Sequence, residues 1–424
     1  MEPGSNKPKI GILTTFYNWD PAYSLVFVVE SQLKALVKYG YNPVLFVHDN
    51  FKDDAKVPAG VEIRKIVPRF LLVDYSSGQT PSADLNDQAN KAYEAIKTNA
   101  ADIDYMIEHD ILLQGWFLPY AMALHKLGET TQIKWLHWIH SNVSGQRNLE
   151  MPHKARFTLP ANSKLVYLNN YYLIRVAETY GIWPKDVRIV YNAMDPRLFL
   201  DLHPLVETMI DKYDLLAADL FQVYPVSTTR MIAGKQLKVL IEIFAKLKAQ
   251  GKKIRLVVAN AHANDKREKQ VIAETLSFAS QLGLNQTELI FTSLEDVPTY
   301  ELGVPKKIVS QLFQLANLFI FPSVSENCSL ILLEAMLSKN LLVLNESVPS
   351  MREFGKDNAI YFKFGGNEET VNYADRDKWL NDVALIIISE FQNNKALKAA
   401  NDIKQHYNYD WIFKHQIEPL FYES

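Results

Sequence analysis

The chain has 424 residues, of which 48% are hydrophobic, and its formal net charge is −3. This length and composition allow two buried cores, so we expect two domains of roughly 200 residues each. Neither half of the chain is basic, which gives no support for a nucleic-acid partner. The single cysteine, Cys328, excludes an internal disulfide framework.

The cysteine count also bears on the cellular compartment. One cysteine is typical of reducing surroundings and the first residues show no charged-then-apolar leader, so we expect a cytoplasmic protein. No apolar run approaches the roughly 20 residues of a membrane-spanning helix. A basic and apolar stretch at 64–72 leaves a peripheral membrane contact open, although an ordinary strand edge is the better explanation. The sequence gives no indication of the oligomeric state.

The hydrophobic pattern predicts strands alternating with helices along the whole chain. A strand at Lys9–Phe16 comes first, then a helix at Ser24–Tyr39 that Gly40 ends, and a second strand at Asn42–His48. Further strands are expected at 61–67, 104–113, 132–139, 164–168 and 187–191, and a second series at 221–227, 254–259, 288–291, 317–321, 341–344 and 359–362. Such alternation favours parallel sheets, so we predict an α/β protein with two Rossmann-like, doubly wound domains.

The two series of strands set the domain boundaries. We expect the first domain at residues 1–200, a polar, proline-containing linker at 201–216, and the second domain at 217–408. An amphipathic segment at 409–424, which we expect to form a C-terminal helix, follows the second domain.

The stretch after the predicted strand Leu318–Phe321 has the features of a ligand site. Ser329 is the predicted N-cap of a helix that begins at Leu330. Ligands of open α/β sheets bind beyond the carboxyl ends of the strands, and free N–H groups at a helix start attract a phosphate or diphosphate.

Two carboxylates flank this helix start. Glu326 lies in the loop and Glu334 about one turn inside the helix, where each can accept hydrogen bonds from sugar or ribose hydroxyls. On their spacing alone, an exposed charge and a helix-surface charge remain the better explanation.

A second loop supplies the cations that the first one lacks. Arg230 and Lys235 precede an amphipathic helix that Gly251 ends, so both lie in a strand-to-helix loop. A guanidinium can bind a leaving diphosphate bidentately and an ammonium adds a point charge.

These residues match the motifs of a known family, the family 4 retaining glycosyltransferases of the GT-B fold. Glu326 and Glu334 stand as E-x7-E within the wording Pro-Ser-x-x-Glu and Leu-Leu-Glu-Ala-Met, and Arg230 and Lys235 stand as R-x4-K. The segment 190–199 resembles the one that usually reads P-N-G-V-D at the end of the first domain. The chain is therefore similar to these enzymes, specifically in its second half and weakly over nearly its whole length.

The resemblance implies a two-domain enzyme whose domains face across a cleft, with segment 409–424 packing back on the first domain. It implies a UDP- or GDP-linked sugar donor on the second domain and a carbohydrate, lipid-linked or protein glycan acceptor mainly on the first. It also implies a front-face mechanism in which the departing phosphate helps to take the acceptor proton. We see no D-x-D cluster suited to Mg²⁺ or Mn²⁺ and expect neither metal nor other cofactor.

The resemblance also gives the site residues their roles. Glu326 would hold the sugar ring and Glu334 the ribose hydroxyls. The diphosphate would be held by Arg230, Lys235 and the helix start at Ser329 and Leu330. Asn327 and Cys328 would also belong to the donor-binding residues.

A histidine of the first half completes the predicted site. The predicted strand 132–139 presents His140 at its end, where the family has a histidine that contacts the transferred sugar. His137 lies three residues away and competes for this role, whereas we interpret His109 and Asp110 as structural.

Glycine is scarce, at 16 of 424 residues, and is missing where the family uses it. The affected places are the first loop at 18–23, the turn at 259–262, Ala193, and the segment 345–353. Side chains there either select an unusual donor or impair donor binding. A catalytically impaired binding or partner subunit is therefore the alternative function, and a GT-B epimerase or phosphorylase a less favoured one.

Several aromatic residues of the first half can stack on a sugar or lipid acceptor, although most such residues belong to cores. They are Trp19, Tyr23, Trp116, Phe117 and Trp138.

Overall fold

The computed structural model describes residues 7–70, 73–143, 149–227, 234–264, 266–366 and 371–422. The chain divides into two compact units, the first formed by residues 1–194 with 407–424 and the second by residues 195–406. None of the helices in these described ranges is long and apolar enough to cross a membrane.

The first unit contains one parallel sheet of seven strands. The strands are β1 (Ile10–Leu13), β2 (Val44–His48), β3 (Glu62–Val67), β4 (Tyr105–His109), β5 (Lys134–Ile139), β6 (Ser163–Tyr167) and β7 (Val187–Ile189). Their order across the sheet is β3-β2-β1-β4-β5-β6-β7. The helices are α1 (Ser24–Lys38), α2 (Leu85–Asn99), α3 (Leu118–Thr130) and α4 (Leu173–Tyr180).

Both faces of this sheet are buried, which explains the nearly continuous apolar strands. Successive residues of one strand point to opposite faces, so Met106 packs in one hydrophobic cluster and Ile107 in another. β4 ends four residues earlier than expected, because Asp110 adopts a left-handed conformation with φ 59° that a strand cannot continue.

The second unit contains six parallel strands in two sheets of three. The strands are β8 (Leu220–Ser227), β9 (Ile254–Ala261), β10 (Leu289–Phe291), β11 (Leu318–Phe321), β12 (Leu341–Asn345) and β13 (Ala359–Phe362), in the orders β10-β9-β8 and β11-β12-β13. The helices are α5 (Pro196–Phe199), α6 (Pro204–Tyr213), α7 (Leu237–Ala249), α8 (Lys266–Gln281), α9 (Lys306–Leu315), α10 (Leu330–Leu337), α11 (Pro349–Gly355), α12 (Arg376–Asn393) and α13 (Lys395–His406).

A side-chain amide joins the two sheets of the second unit. Gln222, fully buried in β8, donates from Nε2 to the Ile320 carbonyl of β11 over 2.8 Å. Its Oε1 accepts from the Ile320 N–H over 2.9 Å. One glutamine side chain thus bonds to the backbone N–H and carbonyl of β11, as a neighbouring strand would within a sheet. The predicted fold class, α/β with two parallel-sheet units, is confirmed, and every expected strand is present; that the units face across a cleft stays a prediction.

Two segments differ in detail from the sequence interpretation. Residues 201–216, expected as a linker, mostly form α6, which belongs to the second unit because Val206, Met209 and Ile210 are buried in its core. Residues 409–424 do not form one regular helix. They comprise α14 (Tyr409–Ile412), a π-helical turn to Ile417 and a 3-10 turn to Phe421, and their apolar side chains pack in the first unit.

Candidate functional site

The helix start predicted at Leu330 is present. α10 begins at this residue, and Ser329 is its N-cap residue, without a side-chain hydrogen bond to the helix. The Ser329 carbonyl accepts from the N–H groups of Leu332 and Leu333. No described residue accepts from the N–H groups of Ser329, Leu330 or Ile331. The amino end of α10 therefore offers donors and positive helix-dipole charge to an anion.

Lys235 and Glu326 lie 91 residues apart in the sequence and form an ion pair, from Nζ to Oε1. Their side chains are only 18% and 12% exposed. The same carboxylate oxygen accepts a hydrogen bond from the Ser323 hydroxyl at 2.7 Å. The structure thus brings together the cation after β8 and the carboxylate after β11. Two of the predicted site residues, from different motifs, form one cluster.

Neighbouring side chains fix the position of Lys235. The Tyr224 hydroxyl, buried in β8, donates to the Lys235 carbonyl at 2.6 Å. Gln236 has φ 48° and donates from its side-chain amide to the carbonyls of Pro322 and Phe364, at 2.9 Å and 3.2 Å. Sequence reasoning missed this glutamine, whose only signal is its position directly after Lys235.

A second amide, also missed, ties the carboxyl ends of three strands together. Asn345 is fully buried at the end of β12 and donates to the carbonyls of Ser323 and Gly365, at 3.0 Å and 2.6 Å. Its Oδ1 accepts from the N–H groups of Ser347 and Phe364. The loop that carries Glu326 is thereby held against the chain that follows β12 and β13.

Glu334 has one carboxylate oxygen in use and one free. Oε1 pairs with the exposed ammonium of Lys306 at the start of α9. Oε2 is buried and has no hydrogen-bond partner. A buried, unpaired carboxylate oxygen is costly, so it marks a place where a ligand hydroxyl would bind favourably.

The other predicted donor-site residues have less distinctive surroundings. Asn327 and Cys328 are exposed in the loop, and Leu330 is 68% exposed. Arg230 lies outside the described residues, so its predicted role stays a prediction.

His140 follows β5 in the first unit and belongs to a chain of hydrogen bonds. Its Nε2 lies 2.8 Å from His109 Nδ1, and His109 Nε2 lies 3.0 Å from the Gln32 side-chain oxygen. Since this oxygen only accepts, His109 carries its proton on Nε2, and His140 must then donate from Nε2 to His109 Nδ1. Nδ1 of His140 is left as a hydrogen-bond acceptor.

The directions of the pKa shifts agree with neutral imidazole rings at His109 and His140. Burial lowers the pKa of His109 well below its usual value, and His140 lowers it further. Burial also lowers the pKa of His140, and the Asp110 carboxylate opposes that shift. Asp110 Oδ1 accepts from the His140 backbone N–H at 2.7 Å and so fixes this turn. His109 and Asp110 are thus positioning residues for His140.

His137, the alternative to His140, is fully buried between β5 and its neighbours. It lies 2.8 Å from Glu108 Oε1 and 2.9 Å from the Ser163 hydroxyl. Burial raises the pKa of Glu108, and the contact with His137 opposes that shift. Both ring nitrogens of His137 have partners inside the core, so its role is structural.

No group of three or more His, Cys, Asp or Glu residues in the described part of the chain is arranged to hold a metal ion. The sequence does contain D-x-D at 102–104 and 375–377. Asp102 pairs with Lys9 and Arg64, and the Asp375 side chain accepts from the Lys378 N–H at the start of α12. Both motifs therefore have structural contacts.

Comparison with known proteins identifies the class of the second unit. Residues 224–382 match the family model for glycosyl transferases group 1, a range that contains Lys235, Glu326 and Glu334. This part of the chain is therefore similar to the group 1 glycosyltransferases. The resemblance found in the sequence is confirmed at this level, whereas membership of family 4 stays a prediction.

Solved structures and curated sequences complete the comparison. A glycosyltransferase from Rickettsia africae is 14% identical with a TM-score of 0.37, and 98% of each chain is covered. Sucrose-phosphate synthase from Thermosynechococcus elongatus is 15% identical with a TM-score of 0.36, covering 99% of this chain and 100% of that one. HepE from Anabaena, in complex with UDP, is 14% identical with a TM-score of 0.34, covering 98% and 100%. No curated protein matches the sequence.

Proposed function

We propose that this protein transfers a sugar from a UDP- or GDP-linked donor to an acceptor hydroxyl, with retention of the anomeric configuration. The observation that carries the proposal is the cluster at the ends of β8 and β11. There Lys235 pairs with Glu326 in the loop before α10, and the unpaired oxygen of Glu334 belongs to α10 itself. Such a cluster has separate contacts for a diphosphate, a ribose and a sugar.

The diphosphate would bind Lys235 and the free N–H groups of Ser329 and Leu330. Charge builds on the diphosphate as the glycosidic bond breaks, and donors that are already in place stabilise that charge without reorganisation. Lys235 is held by contacts at its backbone and its ammonium, so it meets this condition.

The nucleoside would be held by Glu334. Ribose offers two neighbouring hydroxyl donors, and Glu334 Oε2 is a buried acceptor without a donor. Binding a ribose hydroxyl there removes the cost of the unpaired oxygen.

The sugar would contact Glu326, and the role of His140 toward the sugar stays a prediction. Glu326 can accept from sugar hydroxyls while keeping its contacts with Lys235 and Ser323. His140 can accept through Nδ1. In the transfer itself, the bond from the sugar carbon to the phosphate oxygen breaks and the acceptor oxygen bonds to the same face of that carbon. The acceptor proton passes to the departing phosphate, so no carboxylate acts as a nucleophile.

We further propose that the reaction needs no metal ion, since Lys235 and the amino end of α10 supply positive charge, and that the protein is cytoplasmic. The single, exposed Cys328 supports a reducing compartment.

The test is ligand binding followed by product analysis. A thermal-shift panel of UDP, GDP, ADP and their sugar conjugates should give one responding base, because a ligand at 100 times its dissociation constant stabilises the fold by about 2.7 kcal/mol. The response should disappear in Lys235→Ala and persist in Lys378→Ala, which removes an exposed lysine of the same unit. The anomeric configuration of the product, read by NMR, tests retention. No response to any diphosphate would favour the non-catalytic binding subunit, and an isomerised donor would favour the epimerase.

A further inference from the structure

A cavity of about 270 Å³ lies in the first unit at the carboxyl ends of β1, β2 and β3. Its walls come from the loop after β1, from His48 at the end of β2, from Arg69 just after β3, and from Phe117 and Tyr120. This is the edge of a parallel sheet at which ligands bind. It is also the edge that carries Asp110 and His140, after β4 and β5.

His48 lines this cavity and carries an unused hydrogen-bonding group. The side chain is 2% exposed, and its Nε2 is buried without a partner. On the other side of the ring, Nδ1 lies 3.1 Å from the Asn50 backbone N–H and 2.8 Å from Asp49 Oδ1. Asp49 is half exposed, so water can hydrate its carboxylate, whereas Nε2 is shielded. An anionic oxygen at Nε2 favours the tautomer in which Nε2 carries the proton and Nδ1 accepts from Asn50.

Arg69 gives the same cavity an unpaired positive charge. Its guanidinium lies over the Tyr17 ring, 5.0 Å from the centroid, and no carboxylate of a described residue forms an ion pair with it. The Tyr17 ring in turn contacts the His48 ring, with centroids 4.3 Å apart. Burial lowers the pKa of His48, and the nearby Arg69 charge lowers it further, while Asp49 opposes the shift. The Arg69 guanidinium and the His48 imidazole therefore contact the same Tyr17 ring, and Asp20 is the one acidic residue among those that line the cavity.

The rest of the wall suits a sugar ring. Tyr17, Tyr23 and Phe70 present aromatic surface, on which the apolar face of a sugar can pack. Asn18 and Asp20 supply polar groups for hydroxyls. The volume is at the lower end for ligand pockets, which fits one monosaccharide better than a lipid chain.

We propose that this cavity binds the acceptor, and that the acceptor is a sugar carrying an anionic group, phosphate or carboxylate, held by Arg69 and by Nε2 of His48. The assignment as acceptor site rests on the proposed function, whereas the binding itself does not.

The experiment is calorimetric titration of the full chain with glucose 6-phosphate, glucuronate, glucose and inorganic phosphate, with and without the nucleoside diphosphate found in the panel. We expect one of the two anionic sugars to bind more tightly than glucose and than inorganic phosphate. Glucose 6-phosphate would indicate a phosphorylated acceptor and glucuronate a carboxylated one. Arg69→Ala should weaken that binding by at least about tenfold, since it removes the charged hydrogen bonds that the guanidinium would make to the anionic group. His48→Phe should also weaken it.

Matched variants separate this cavity from the donor site. Lys185→Ala removes an exposed cation next to β7, the outer strand on the other side of the sheet from β3, and should leave anionic-sugar binding unchanged. Lys235→Ala should leave anionic-sugar binding intact, and Arg69→Ala should leave diphosphate binding intact. Failure of the diphosphate panel with intact anionic-sugar binding would refute the proposed function alone. Equal binding of glucose and the anionic sugars, or no effect of Arg69→Ala, would overturn the anionic acceptor.

Discussion

Replacing Glu326 by glutamine should strengthen binding of the nucleoside diphosphate while abolishing sugar transfer. In the free protein, Glu326 neutralises Lys235. Glu326→Gln keeps the shape of the side chain but removes its charge, so Lys235 is left as a poorly solvated cation. A bound diphosphate then supplies the negative charge that Lys235 has lost. The free energy of binding is therefore more favourable in the variant than in the wild type.

The size of the effect follows from the burial of the pair. Exposed ion pairs contribute about 0–1 kcal/mol, and breaking a fully buried pair costs about 3–5 kcal/mol. At 18% and 12% exposure the pair is mostly buried, but the Ser323 hydroxyl and some solvent remain. We therefore expect about 1.4 kcal/mol, which is about a tenfold lower Kd for the diphosphate.

Calorimetric titration of the wild type, Glu326→Gln, Lys235→Ala and the double variant measures this coupling directly. Lys235→Ala should weaken binding, and the double variant should resemble Lys235→Ala. Glu301→Gln removes an exposed carboxylate of the same unit and should leave Kd unchanged. If Glu326→Gln weakened diphosphate binding as much as Lys235→Ala does, the reasoning would be wrong.

Three further predictions concern other parts of the two units. Glu334→Gln should weaken binding of the nucleoside diphosphate about tenfold but leave binding of inorganic pyrophosphate unchanged, because only ribose uses this side chain; equal effects in calorimetry would contradict the assignment. Because burial lowers the pKa of His140, its Nδ1 stays an acceptor as the pH falls through the usual histidine value of about 6.5, and kcat/KM should decline only below it; a pH profile with its decline centred above that value would contradict the neutral ring. Gln222→Leu should lower the free energy of unfolding by about 3 kcal/mol, because it leaves both polar backbone groups of Ile320 unpaired. In urea denaturation the exposed control Gln281→Leu should stay within about 0.5 kcal/mol, and a similarly small loss for Gln222→Leu would show that the bridge is unimportant.

Much of the fold could be predicted because local patterns encode it. The strand at Leu318–Phe321 and the helix start at Leu330 follow from an apolar run, a proline and a serine within 13 residues. The buried face of α7 follows from its three-and-four spacing of apolar residues. Such signals depend only on near neighbours, so the sequence shows them directly.

The contacts that position the site could not be predicted in the same way. Gln32 and His109 are 77 residues apart, and Lys306 and Glu334 are 28 apart. A glutamine within an apolar strand, as at position 222, indicates a special role but not its partner 98 residues away. No periodicity encodes these pairs, because they arise only when the chain brings distant strand ends together.

Side-chain contacts hold the segments in which the family's glycines are missing. These contacts bear on whether the donor site has been reshaped or has lost its function. In the loop after β1, Trp19 is 5% exposed, packs edge-on against Phe16, and donates from its backbone N–H to Asp53 Oδ2 at 2.8 Å. Near the end of β9, Asn260 is fully buried and bonds to both the backbone N–H and the hydroxyl of Ser293.

Side chains therefore fix these loops where glycine would only have allowed the backbone to bend. A residue at positive φ such as Gln236 costs of order 1 kcal/mol, and its two amide hydrogen bonds can offset that. Positive φ also occurs at residues such as Asn162 and Lys339, so the strain alone does not mark a binding loop. The hydrogen bonds that hold Gln236 beside Lys235 do agree with a donor site that has been reshaped, as the proposed function requires.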